Sequence, residues 1–349
     1  MMTSSPLLKQ QHNLTSDVLP TRFWATIGLL SLLLIANMGV SLSLGSFPTP
    51  FANVLHALVS PQKSDITFII WELRLPRIVL AVLVGAALAI AGAILQGIVR
   101  NPLASPDVIS ITSGASLAAV VFLSLLSTYL GSQWLPLAAL SGAFFAALLV
   151  FFLAWKGGVS PSRMVLVGIG LSAAMGAATT LLIVISDDAA AMVAYVWLTG
   201  SLYATQWPDV AGMLPWLLVA VPLCLGYARQ LDTMALGDLV AQGLGINLLR
   251  SRLVLMACSV ALAGAAVAFA GGLSFVGLMA PHIAAKLVGR HFVRLVPASG
   301  LIGALIVLNA DLLGRVAFLP RDLPAGIFVS GIGAPFFVYL LYRTRQRRY

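Results

Sequence analysis

The chain has 349 residues, of which 60% are apolar and 9% are charged. An ordinary soluble domain carries roughly 25% charged residues, so 20 Lys and Arg with 11 Asp and Glu are too few to cover a soluble exterior of this size. A soluble enzyme, a disordered chain and a soluble domain on a single anchor are excluded, which leaves an all-α polytopic membrane protein.

A span takes roughly 20 apolar residues, so the composition admits about ten. Residues 1–21 are polar and read as a mobile cytoplasmic tail. The apolar run at 23–44 exceeds a signal-peptide core of about 7–15 residues and reads as a retained first span. Further spans are expected at 75–98, 108–130, 135–155, 163–186, 207–228, 252–271, 273–290, 297–318 and 324–342, ten in all. They form one transmembrane domain over 22–343, with halves at 22–200 and 201–343, followed by a basic cytoplasmic tail at 344–349. The stretch 187–206 is too polar to span, and 189–198 reads as a short helix outside the membrane.

An even number of spans puts both termini on one side. With the termini inside, 15 of the 20 basic residues are cytoplasmic, and Lys63, Arg74, Arg77, Arg315 and Arg321 are outside. This is the positive-inside pattern of a multi-pass inner-membrane protein. The net charge of +9 is therefore mostly a topology signal, and no nucleic-acid partner is expected.

Gly85-Ala86-Ala87-Leu88-Ala89-Ile90-Ala91-Gly92 resembles Gly264-Ala265-Ala266-Val267-Ala268-Phe269-Ala270-Gly271 in six of eight positions at an offset of 179, about half the chain. Five spans separate the copies, so they run in opposite directions, as in inverted-repeat transporters. Small residues also recur at fourfold spacing, in Gly85, Ala89, Ala93 and Gly97 and in Gly168, Ser172 and Gly176. Such ridges let helix backbones approach closely.

Reactive chemistry is missing. There is no G-x-x-x-x-G-K-[ST] loop, so ATP is not bound by that route, and there is no H-E-x-x-H or G-x-S-x-G. Cys224 and Cys258 lie in apolar runs and read as packing residues, and His282 and His291 are not at ligand spacing. Asp311 is an acid within a span, with Arg315 one turn later to pair with it.

Three stretches carry information. Glu72-Leu73-Arg74-Leu75-Pro76-Arg77 opens the second span with positive charge on the outer side, and Pro76 suits a first helical turn. Its arginines, with Arg315 and Arg321, read either as a pocket for acidic groups of an external partner or anionic ligand, or as local pairs with Glu72, Asp311 and Asp322. The run Q-G-I-V-R-N-P-L-A-S-P-D at 96–107 must turn at Asn101-Pro102 and Ser105-Pro106, giving an ordered inner loop under a pathway. At 231–252, Leu236, Leu239, Val240 and Leu244 recur at helical spacing beside Asp232, Asp238 and Gln242. Gly243 and Gly245 break the pattern into two short helices, an amphipathic element that docks on a cytoplasmic partner or lies on lipid.

Together these stretches resemble the permease subunits of bacterial ABC importers for iron chelates and cobalamin, over about residues 25–343. The signatures are R-L-P-R at 74–77, the run from Gly85 to Asp107, A-L-G-D…G-L-G at 235–245, G-G-L-S-F-V-G-L-M-A-P-H at 271–282 and L-P-A-G at 323–326. The resemblance implies a non-enzymatic subunit with no bound cofactor that moves a ferric chelate, a siderophore complex or ferric citrate, into the cytoplasm. It implies a second permease, identical or paralogous, a cytoplasmic ATPase dimer that holds the ATP, and a periplasmic binding protein. Arg74, Arg77 and Arg315 would dock the binding protein. Leu236, Gly237, Asp238, Ala241, Gly243, Leu244 and Gly245 would couple to the ATPase. Ser160, Pro161 and Ser162 would form an inner gate, where the central proline departs from some members. Ser172, Thr179 and Thr180 would line the pathway. Trp197-Leu198-Thr199-Gly200-Ser201-Leu202 looks more like ferric-chelate than cobalamin members. A cobalamin or haem importer of the same family, and an ion-coupled secondary transporter, are the alternatives.

Overall fold

The computed structural model describes residues 6–60, 64–155 and 161–346. The helices are α1 (Pro6–Ser43), α2 (Phe51–Val59), α3 (Asp65–Val99), α4 (Ile111–Leu130), α5 (Leu135–Ala154), α6 (Pro161–Ile185) and α7 (Asp188–Leu198). They continue as α8 (Trp207–Gly226), α9 (Ala228–Met234), α10 (Asp238–Gly243), α11 (Leu248–Ala270), α12 (Val276–Val288), α13 (Phe292–Val316) and α14 (Ala325–Gln346). Among the described residues, nine of these are long and apolar enough to cross a membrane: α1, α3, α4, α5, α6, α8, α11, α13 and α14.

Three boundaries differ from expectation. α1 begins at Pro6, inside the stretch read as a tail. α3 begins ten residues before Leu75, through a π turn at Ile69–Arg74. Pro76 has no N–H to give and its ring crowds the preceding turn, and the wider π turn accommodates both while the helix continues. The expected span at 273–290 holds the 13-residue helix α12, about 20 Å long at 1.5 Å per residue, which together with the residues before it returns the chain from the end of α11 to the start of α13 beside Asp232. Residues 271–275 before it are irregular, with Gly271 at φ 71° and Phe275 at φ 66°. Non-helical backbone at membrane depth must be covered by protein. Here Ser201 N–H donates to the carbonyl of Ala270 at 2.9 Å, and Leu273 and Val276 are buried. The short helix read near 189–198 is α7, capped by Asp187, whose carboxylate accepts from Ala190 N–H at 3.1 Å.

The repeat copies fall on α3 and α11, the two most buried spans at 78% and 72% of their apolar windows. The end of α3 at Arg100 lies beside the start of α11 at Arg252, both reaching Asp238, so the pair is antiparallel. Ser259 Oγ donates to the carbonyl of Ala91 across the pair at 3.1 Å. Around this axis α3 packs on α13, α12 and α8, while α4, α5 and α6 pack on one another. Glycine makes these approaches possible. A Cβ on Gly85 would collide with the carbonyl of Gly303, one on Gly303 with that of Gly85, and one on Gly92 with that of Gly277. In the second ridge, Gly168 lies against the carbonyl of Val108, whereas Gly176 faces open space.

Candidate functional sites at the two ends of the bundle

The outer arginines meet at one end, where the start of α3 adjoins the ends of α1 and α13. Arg77 Nε donates to Asp311 Oδ1 at 2.8 Å, and its two Nη atoms donate to the two oxygens of Asp322 at 2.5 and 2.9 Å. Asp311 is fully buried and also pairs with Arg315 Nε at 3.1 Å, one turn away on α13. Arg315 donates onward to Ser41 Oγ. Arg74 donates to the carbonyls of Leu42 and Phe47, each at 2.5 Å. Arg74, Arg77 and Arg315 are only 6%, 7% and 8% exposed.

Local pairing therefore involves Asp311 and Asp322 and leaves Glu72 out. The three arginines and the exposed Arg321 line a cavity of about 260 Å³ with Gly45, Phe47, Leu73 and Leu319. Among the described residues, the four guanidinium groups have two carboxylates beside them, Asp322 in the lining and Asp311 beneath it, so the pocket keeps a surplus of positive charge. Phe47, Leu73 and Leu319 in its lining are exposed. The Arg77 contacts span more than 230 positions of sequence; the sequence offered Asp311 and Asp322 as pairing acids, but not that Arg77 holds both.

The opposite end holds the element read as amphipathic. The break between its two short helices is at Gly237 (φ 119°), not at Gly243, which closes α10; Gly245 (φ 81°) turns the chain toward α11. Met234, Ala241 and Leu248 form a small buried cluster backed by Ile246. Asp238 opens α10 and binds both Arg100, at the end of α3, and Arg252 of α11, the latter at 2.8 Å. Leu236, Leu239 and Leu244 are left exposed, Leu239 at 85%. A cavity of about 320 Å³ opens beside the element, lined in part by Gln96, Arg100, Asn101, Asp232, His282 and Arg290.

The inner loop at 101–110 is ordered, as its prolines require. Asn101 Oδ1 accepts from Leu103 N–H at 3.0 Å, and Pro106–Ile109 form a 3-10 turn. Asp107 accepts from Thr112 Oγ1 at 2.5 Å, and burial pushes its carboxyl up from the ordinary carboxylate range.

Of the expected gate, Ser160 lies outside the described residues, Pro161 begins α6, and Ser162 is exposed. Of the expected pathway residues, Ser172 and Thr179 turn into the chain. Ser172 Oγ bonds Ser110 Oγ at 3.0 Å, and Thr179 Oγ1 donates to the carbonyl of Met175 at 2.8 Å. Thr180 lies on the exposed face of α6 with Gly170, Ala173 and Ala177. His282 packs edge-on against Phe336, Cys224 and Cys258 are buried free thiols, and no group of three His, Cys, Asp or Glu could hold a metal among the described residues.

Long apolar helices wrapped around an antiparallel central pair define a multi-pass membrane protein of the transport type. The chain belongs to the FecCD transport family, which matches residues 32–343. It is 51% identical over 320 residues to the achromobactin transport system permease protein of Dickeya dadantii, covering 92% of each chain. It is 45% identical to an Fe(3+)-citrate import system permease protein of Bacillus subtilis, over 90% of this chain and 93% of that one. A solved structure described as an inward-facing conformation of a putative metal-chelate type ABC transporter superposes with a TM-score of 0.80 at 29% identity, covering 92% of this chain and 99% of that one.

Proposed function

We propose that this chain is the permease subunit of an ABC importer that carries a ferric chelate from the periplasm to the cytoplasm, driven by ATP on separate ATPase subunits. The family match over 32–343 carries the reading, and the relatives named for achromobactin and Fe(3+)-citrate supply the substrate class. A cobalamin import permease of Halobacterium salinarum, 38% identical over 87% of this chain, keeps cobalamin as the second reading.

Both termini are cytoplasmic, which places the Arg77 end in the periplasm and the Arg100 end against the ATPase dimer. The arginine-lined cavity receives a carboxylate of the periplasmic binding protein. Burial of Arg74, Arg77 and Arg315 supports a recessed socket, with Arg321 at its mouth. The exposed leucines of the α9–α10 element enter a groove of the ATPase, while Gly237 and Gly245 set its turns and Ala241 its small core. The exposed small-residue face of α6 that includes Thr180 lines the pathway with the matching face of a second permease, and residues 160–162 close its cytoplasmic side.

Vesicles containing the chain, its partner permease and the ATPase should accumulate ferric citrate or a ferric siderophore only with ATP and the binding protein. Accumulation without ATP, driven by an ion gradient, would replace this reading with a secondary transporter.

A further inference from the structure

Asp238 ties the α9–α10 element to the rest of the chain through two arginines. One of them, Arg100, is the left-handed cap of α3 at φ 54° and leads directly into the loop at 101–110. The far end of that loop is fastened to α6. Ser110 is fully buried at φ 63°, a conformation that side-chain-bearing residues rarely adopt, and its Oγ donates to the carbonyl of Gly168 at 2.7 Å. Ser172 Oγ bonds Ser110 Oγ at 3.0 Å and the carbonyl of Asp107 at 3.3 Å. Gly168 permits the approach, because a Cβ there would meet the carbonyl of Val108. α6 is otherwise lightly held, with 22% of its apolar window buried inside the chain. Buried hydrogen bonds in a low-dielectric setting are then a large share of what fixes its position.

We propose that Arg100, Ser110 and Ser172 are positioning residues that make the loop at 101–110 and the first half of α6 one moving unit, driven by α10 through Asp238. The proposal rests on the ABC-permease reading. A push on α10 passes through the Asp238–Arg100 ion pair, turns about the left-handed residue at the end of α3, and reaches α6 through Ser110. Short element-terminal segments of this kind are where a hinge absorbs backbone rotation.

The complex in vesicles tests this, with ferric citrate or a ferric hydroxamate as probe, whichever the wild type accumulates. A Ser110→Cys/Ser172→Cys disulfide should leave uptake and ATP hydrolysis intact, because two parts of one unit do not separate. Ser110→Ala/Ser172→Ala, and separately Arg100→Gln, should lower uptake by roughly 2- to 30-fold while ATP hydrolysis persists. A cross-link that abolishes uptake while hydrolysis continues, or a double alanine variant with wild-type uptake per ATP, would overturn the proposal. Wild-type vesicles that hydrolyse no ATP in response to the binding protein would instead overturn the permease reading itself.

Discussion

Arg77 on α3 holds Asp311 on α13 and Asp322 in the turn before α14 at the same time, with every bond between 2.5 and 2.9 Å. The pairing closes one end of the bundle around a carboxylate with no exposure to solvent. Removing one partner of a buried pair costs up to about 3–5 kcal/mol, and less here to the extent that Arg315 still holds Asp311. Arg77→Gln should therefore lower the unfolding temperature of the purified complex sharply. Arg77→Lys should recover only part of the loss, since a lysine lacks the planar fork that reaches both acids. Unchanged melting of Arg77→Gln would mean that the pair contributes nothing to stability.

In the proposed docking, Arg321 at the same end makes the first contact with the acidic partner. It is exposed at the cavity mouth, whereas the other three arginines are recessed. Arg321→Glu should weaken binding-protein affinity chiefly through a slower, more weakly salt-dependent association, with unchanged melting. Surface plasmon resonance across a salt series checks this; equal association rates at low salt would remove Arg321 from the interface.

The α9–α10 element, proposed to dock on the ATPase, gives a third expectation. Leu239 is 85% exposed on a helix whose other side is closed by Ala241. Leu239→Asp should leave the permease folded yet reduce co-purification of the ATPase, with a loss of about 2 kcal/mol or more if Leu239 is an anchor in the groove. Retention of the ATPase at wild-type stoichiometry and affinity would place the contact elsewhere.

Glycine packing separates two classes of position. Gly92→Val puts a side chain into the carbonyl of Gly277 and should cost at least about 1–3 kcal/mol by overpacking. Gly28→Ala on α1 meets nothing within 4 Å and should be neutral or stabilising by up to about 1 kcal/mol. Thermal unfolding in detergent distinguishes them, and equal destabilisation by both would contradict the packing.

Asp107 should make stability depend on pH. Burial raises its carboxyl in the folded chain, so the folded state holds the proton more tightly than the unfolded one. Its cost is absent below the unfolded value of about 3.9, grows as pH rises through that value, and is complete above the folded value. Asp107→Asn keeps an acceptor for Thr112 and removes the charge. It should melt higher than the wild type at neutral pH, and the gap should close in acid. A gap that stays constant with pH would assign the effect to something other than ionisation.

Sequence spacing was sufficient for α11, α13 and α7, because an unbroken apolar run or a capping aspartate acts within a few residues. It was insufficient for α12. The 273–290 run is apolar enough to span, yet its first three residues, with Gly271 and Gly272 before them, are irregular where 197–201 packs against them, so the helix is only Val276–Val288. The arginines at 74–77 stood out because positive charge opposes the topology rule there, and Asp311 and Asp322 were legible as possible partners beside Glu72. Which of these acids pair, and with which arginine, was not, since Asp311 and Asp322 approach Arg77 only after α3 and α13 pack together.

The sequence by itself determined that the chain is a bundle of membrane-spanning helices with an inverted repeat. These are properties of composition and of residues near one another, set by transfer from water to lipid. The tertiary structure alone decided which charges neutralise each other, which glycines let backbones touch, and that Asp238, Arg100 and Ser110 connect one surface element to α6. Such contacts join residues far apart in sequence and depend on positions to within an ångström, which hydrophobic pattern does not specify.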